Sequence, residues 1–176
     1  MSNKNSIYRI AVIGPESTGK STLCKGLAEH FNTVFAPEFS RDYTSNLEKN
    51  YTESDVLHCI AEQFNLEKSL LNKATKYLFS DTESIVGKVW LEDKFGPAPA
   101  WVEALISDYP YDLYLLTSND IPFENDPVRE NPLRRDFFFE WYQRELLGRK
   151  LNYKVISGLG TERLKNAVKI IEDNFK

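Results

Sequence analysis

Eight consecutive residues, Gly14-Pro15-Glu16-Ser17-Thr18-Gly19-Lys20-Ser21, carry the strongest chemical signal in the sequence. The spacing Gly-x-x-x-x-Gly-Lys-Ser suits a loop whose successive backbone amides turn inward around a chain of phosphate oxygens. Glycine permits the backbone angles this requires, and a helix starting at the loop's end adds its positive N-terminal dipole. Lys20 is placed to neutralise the β and γ phosphates and Ser21 to put its hydroxyl on Mg²⁺. The nucleotide-binding set is therefore Gly14, Glu16, Ser17, Thr18, Gly19, Lys20, Ser21 and Thr22.

A phosphate loop also needs an acid near the metal. Asp81 directly follows the apolar run Tyr77-Leu78-Phe79, where a strand end would aim it at the loop. It could hold a metal-bound water or take a proton from an attacking hydroxyl, or else cap a helix beginning near Thr82. In Pro37-Glu38-Phe39-Ser40-Arg41-Asp42, helical geometry would put Glu38 and Arg41 on one face. Glu38 then reaches a substrate hydroxyl as a candidate base and Arg41 attracts phosphate, unless the two form a surface ion pair. Asp126-Pro127-Val128-Arg129 and the pair Arg134-Arg135 flank a proline-broken stretch, and an arginine there could offset charge on a phosphoryl group in transfer. Arg129 is the favoured catalytic arginine, and a solvated helix face is the alternative for Arg134 and Arg135. Trp90, Phe95 and Trp101 lie beside the Gly96-Pro97 break, where an acceptor base could stack, whereas Phe137, Phe138, Phe139 and Trp141 read as core.

The elements that must position these residues alternate short β-rich runs with helical stretches, the rhythm of an α/β domain. Strands are expected at Ile7–Ile13, Val34–Ala36, Tyr77–Ser80, Leu113–Thr117 and Tyr153–Ser157, each continuous rather than alternating, as in a parallel sheet covered on both faces. Thr52 and Asp55 form a capping-box pattern ahead of the helical face Val56, Ile60, Phe64 and Leu71. Leu164, Ala167, Val168, Ile171 and Phe175 place a last helix at the C-terminus. Ser157-Gly158-Leu159-Gly160-Thr161 reads as a turn at a sheet edge that could receive adenine, or simply as a helix start. The expected architecture is a three-layer P-loop fold with a five-stranded parallel sheet, one domain over 1–176 with 1–6 flexible and a lid over 118–135; analogy with nucleoside kinases gives the strand order 2-3-1-4-5, with the phosphate loop central.

At 176 residues with a net charge of −4, the composition is that of a globular chain and argues against a nucleic-acid or anionic-lipid coat. Two cysteines without metal-ligand spacing favour a reducing, cytoplasmic compartment, and no apolar run approaches a membrane span. Oligomeric state has no signature here.

The ordered set of motifs resembles the nicotinamide riboside kinase domain of the NadR type, within the P-loop nucleoside kinases and AAA-like ATPase domains. The resemblance rests on Gly14 to Ser21, Pro37-Glu38 with Arg41, Ser80-Asp81-Thr82-Glu83, Tyr109-Pro110-Tyr111-Asp112, and Asp126 with Arg129. It implies transfer of the ATP γ-phosphoryl group to the 5′-hydroxyl of nicotinamide riboside, giving nicotinamide mononucleotide. Glu38, Arg41, Asp81, Glu83 and Trp90 would contact the acceptor, with Mg²⁺ on Ser21 and Asp81. Pro37 stands before Glu38, where the family can carry a tryptophan that stacks the pyridine ring. Two other classes remain: a kinase for another small acceptor, and a regulatory ATP- or GTP-binding module. A GTPase switch is disfavoured, since Asp81 lacks the following Asp-x-x-Gly pattern and no Asn-Lys-x-Asp guanine reader is present.

Overall fold

The computed structural model describes residues 7–124 and 131–176. Five strands, β1 (Tyr8–Ile13), β2 (Phe35–Ala36), β3 (Tyr77–Asp81), β4 (Leu113–Thr117) and β5 (Tyr153–Ile156), form one parallel sheet in the order β2-β3-β1-β4-β5. Both the five strands and their order match the expectation from sequence. The chain winds from β1 outward to β2, returns to β3 between them, then crosses to β4 on the opposite flank, an order compatible with right-handed crossovers. The C-terminal ends of β1, β3 and β4 thus open at a topological switch point, where α/β folds bind ligands.

Seven helices cover the sheet among the described residues: α1 (Lys20–His30), α2 (Phe39–Ser45), α3 (Glu53–Leu70), α4 (Ser84–Lys94), α5 (Ala100–Asp108), α6 (Arg135–Gly148) and α7 (Thr161–Asn174). Side chains of a strand alternate between faces, and the two cores follow that period. Ile10 and Val12 of β1, with Leu113 and Leu115 of β4, pack against Leu23, Cys24 and Leu27 of α1 and Ala167 and Ile171 of α7. Ala11 and Ile13, with Tyr114 and Leu116, face Val56 and Ile60 of α3, Ile85 and Val89 of α4, Val102 and Ile106 of α5, and Leu146 of α6. Because both faces are covered, β3 and β4 are buried throughout, which explains the apolar runs Tyr77 to Phe79 and Leu113 to Leu116.

Two polar anchors fix the helices nearest the open edge. Glu67 of α3 accepts from Arg9 Nη2 at 3.0 Å and from the Tyr111 hydroxyl, tying the end of α3 to the base of β1 and β4. Lys88 of α4 donates to Glu145 of α6 and to Glu92, each at 2.8 Å. The Thr52–Asp55 capping box forms as the sequence predicts, and the Gly96–Pro99 break separates α4 from α5. Among the aromatics expected in the core, Phe138 is buried but Phe137 stands 42% exposed. It lies one residue before Phe138 on α6, so helical geometry turns it about 100° off the buried stripe.

Candidate active site

Between β1 and α1 the loop bends through left-handed backbone at Ser17 (φ 56°) and Gly19 (φ 74°), and Gly14 takes φ 144°. A Cβ at Gly14 would overlap the Thr117 side chain at the end of β4, so only glycine fits there. Thr117 in turn donates to Ile13 O at 3.1 Å and shares a 2.6 Å hydroxyl–hydroxyl bond with Thr18, whose hydroxyl also lies 2.8 Å from Pro15 O. Arg135 Nη2 donates to Ser17 O at 3.2 Å, and Arg163 Nη1 donates to Thr18 O at 3.0 Å. In a trans peptide the C=O and the next N–H point in opposite directions. Engaging these two carbonyls therefore turns the amides of Thr18 and Gly19 away from the arginines, and both residues line the cleft. Arg163, only 3% exposed, also binds Gly158 O at 2.8 Å and the Asp120 carboxylate. It thereby joins the phosphate loop to the turns after β4 and β5.

Lys20 Nζ lies 2.9 Å from Pro15 O, folded back over the loop it would serve. Glu16 accepts from the Asn131 N–H at 2.9 Å and Ser17 Oγ from the Glu124 N–H at 2.8 Å, so both described ends of the expected lid rest on the loop. Asp126 and Arg129, the lid residues singled out from sequence, lie outside the described residues, as do 1–6. Arg135, read as a candidate to close over phosphates, instead binds the main chain of the loop and Ile121 O at 2.8 Å.

Across the cleft stands a wall of acids. Asp81 ends β3 in register with Val12 and is 1% exposed. Burial pushes its carboxyl up to about 6 against the pull of Lys20; nearby Glu38 raises it further, and a hydrogen bond from Ser21 lowers it. The helix cap foreseen as an alternative for Asp81 falls instead to Glu83, whose Oε2 accepts from Ile85 N at 2.8 Å. Thr82 makes this possible by taking φ 74°, which turns the chain from strand to helix and leaves Asp81 facing the cleft. Glu83 is buried and held up to about 8, chiefly by burial, with Glu67 adding like charge. Glu38 is the N-cap residue of α2 and accepts from the Ser40 hydroxyl at 2.8 Å. Trp90 packs edge-on against Tyr51, with ring centres 4.9 Å apart, and Phe95 meets the same tyrosine at 6.2 Å.

One open cavity of about 1620 Å³ connects these groups. Gly14, Glu16 through Thr22, Glu38, Arg41, Asp81, Glu83, Trp90 and Phe95 all line it. Trp101 does not; it stands 42% exposed on α5. Gly160 and Thr161 reach the far end, while the Gly158 N–H is occupied by Asp120 at 2.6 Å. Thr117, Arg163 and Gln63 belong to this site and carry no motif. The last two do leave a trace: each places a polar side chain on the buried stripe of its helix, Arg163 with Ala167 and Ile171, Gln63 with Val56 and Ile60.

Residues 9–163 match the AAA domain family. The chain belongs to that family. As an AAA domain it is 32% identical over 129 residues, 70% of its length, to the trifunctional NAD biosynthesis/regulator protein NadR of Salmonella typhimurium. It spans 31% of that relative's length. Its fold superposes on a NadR protein in complex with NR with a TM-score of 0.78, at 24% identity, covering 96% of this AAA domain and 51% of that chain. A NadR protein in complex with NAD and AMP-PNP gives a TM-score of 0.74 at the same identity, covering 96% and 49%. No helix among the described residues is long and apolar enough to cross a membrane.

Proposed function

We propose that this chain is an ATP-dependent kinase that transfers the γ-phosphoryl group to a hydroxyl of nicotinamide riboside, forming nicotinamide mononucleotide for NAD salvage in the cytoplasm. The observation that carries this reading is the continuity of the cleft. A main-chain phosphate cradle at one end opens directly onto buried acids and an aromatic corner at the other. A nucleoside whose ring rests by Trp90 and Tyr51 would present its sugar to Asp81 and Glu38. Similarity to NadR, described as a NAD biosynthesis protein and solved with NR and with AMP-PNP, supports the same assignment.

In this reading Lys20 and the loop amides hold the β and γ phosphates, and one acid orients the acceptor hydroxyl and receives its proton. With its carboxyl near 6, Asp81 is ionised at neutral pH and able to accept. Glu38, next to it in the cleft, is the alternative base. Glu83 keeps its proton at that pH and serves instead as a neutral polar contact. Magnesium fits the residues present: Ser21 is bonded to Asp81, whose Oδ1 is buried without a partner among the described residues. When bound, the ion would neutralise charge on the phosphate oxygens. Arg129 would add positive charge from the lid, and 1–176 would act as one unit.

Incubating the purified chain with MgATP and a nucleoside panel tests the reading. Nicotinamide mononucleotide and ADP in equal amounts are expected. Phosphorylation of a different nucleoside would reassign the acceptor, and nucleotide binding with no phosphorylated product would leave a regulatory module.

A further inference from the structure

Gln63 lies on the wall of the cleft, 6% exposed, and neither the motifs nor the acid chemistry above uses it. Its two amide atoms have unequal surroundings. Oε1 accepts from the Phe39 N–H at 2.8 Å, whereas Nε2 is buried with no partner among the described residues. An N–H can be answered only by the amide oxygen, so the Phe39 bond fixes the orientation and commits Nε2 to the other direction. The stretch of α3 that carries it is held on both sides. Ile60, three residues earlier on α3, packs where a Cβ at Gly87 of α4 would sit, so the two helices meet at close range. Glu67, four residues later, is bound by Arg9 and Tyr111. Phe39 begins α2, directly after Glu38.

We propose that Gln63 is an acceptor-binding residue: Nε2 donates a hydrogen bond to a neutral oxygen of the nucleoside, a sugar hydroxyl or a base carbonyl, while Oε1 holds the helix that follows Glu38. The proposal rests on the nucleoside-kinase reading and adds to it a specificity contact. An amide donor buried without a partner is unfavourable by itself, so the site favours ligands that supply the missing oxygen and rejects those that lack it. Gln63 thus couples recognition of the acceptor to the placement of a candidate base.

Calorimetric titration of nicotinamide riboside in the presence of AMP-PNP, on wild type and Gln63→Leu, reads this without requiring turnover. About tenfold weaker nucleoside binding is expected, with AMP-PNP affinity unchanged. Three analogues, lacking the carboxamide, the 2′-hydroxyl or the 3′-hydroxyl, identify the partner: the wild type should lose about tenfold on one of them, and Gln63→Leu should lose nothing further on that one. Gln63→Glu retains an oxygen for the Phe39 N–H and serves as the second variant if the leucine form melts early. Unchanged nucleoside affinity in both variants, or an equal loss on all three analogues, would overturn the contact. A wild type that binds the nucleoside but never phosphorylates it would sink the kinase reading while leaving Gln63 open to the same titration; a wild type that binds no nucleoside would end both.

Discussion

The two ends of the cleft are built on opposite principles. At the phosphate end the protein answers its loop carbonyls and hydroxyls: Ser17 O and Thr18 O are taken by arginines, and the Thr18 and Thr117 hydroxyls bind each other, with Arg135 Nε left without a partner among the described residues. At the acceptor end Gln63 Nε2, Thr82 Oγ1 and Glu83 Oε1 are buried without partners among the described residues. Each such group costs about 1–3 kcal/mol when left unanswered. The first end is a preformed cradle for a ligand part that all triphosphates share. The second holds unmet hydrogen-bonding capacity, which on the proposed kinase reading a matching acceptor would relieve, placing selectivity there.

Substitutions at the two ends should therefore fail differently. Lys20→Ala should give the largest effect, a fall in turnover on the order of a thousandfold or more with the melting temperature unchanged, since in the proposed reaction Lys20 would stabilise charge on the transferring group. Full activity in that variant would remove its proposed role. Asp81→Asn should cut kcat roughly a hundredfold or more while ATP affinity, read by titration, is kept. An unaltered kcat would pass the proton to Glu38. Arg163→Met should act through the loop rather than on the reacting atoms. Losing its charged bonds to Thr18 O and Asp120 is expected to raise the KM for ATP about tenfold and leave the KM for the acceptor in place. Equal changes in both constants would show that the ends are mechanically coupled.

The same division explains what could be read from sequence. The cradle lies in eight adjacent residues, and the strands that carry it are short apolar-rich runs, so the loop, the five strands and the Thr52–Asp55 cap are legible locally, whereas the sheet order follows from the resemblance to nucleoside kinases. The residues that hold the cradle from outside are not locally legible. Arg135 and Arg163 reach their carbonyls across 118 and 145 residues of chain, a pairing that only the folded topology creates. The sequence marks Asp81 as an acid at a strand end, but whether it caps the next helix depends on Thr82 adopting a left-handed backbone, which no pattern announces. Gln63 and Arg163 were discernible only as polar interruptions of buried helical stripes, a signal that marks burial without naming a partner.

The smallest effects concern pH, and here two acids differ in sign. Glu83 is held near 8, above its ordinary 4.5, by burial. As pH rises through that window the unfolded chain ionises while the folded one keeps its proton, so stability falls with rising pH and levels off above about 8. Glu83→Gln stays neutral and still offers Ile85 an oxygen, so urea unfolding should show the variant gaining on wild type between about pH 5 and about pH 8. Asp55 lies at the other extreme, lowered to about 2 by hydrogen bonds from Thr52 and then Tyr43. Its stabilisation is present above its ordinary 3.8 and disappears as pH falls toward 2. Asp55→Asn should therefore be slightly less stable than wild type at neutral pH and equal to it in strong acid, with turnover unaffected. If its deficit persisted in acid, the cap would owe its strength to shape rather than charge, and the contrast with Glu83 would be one of packing.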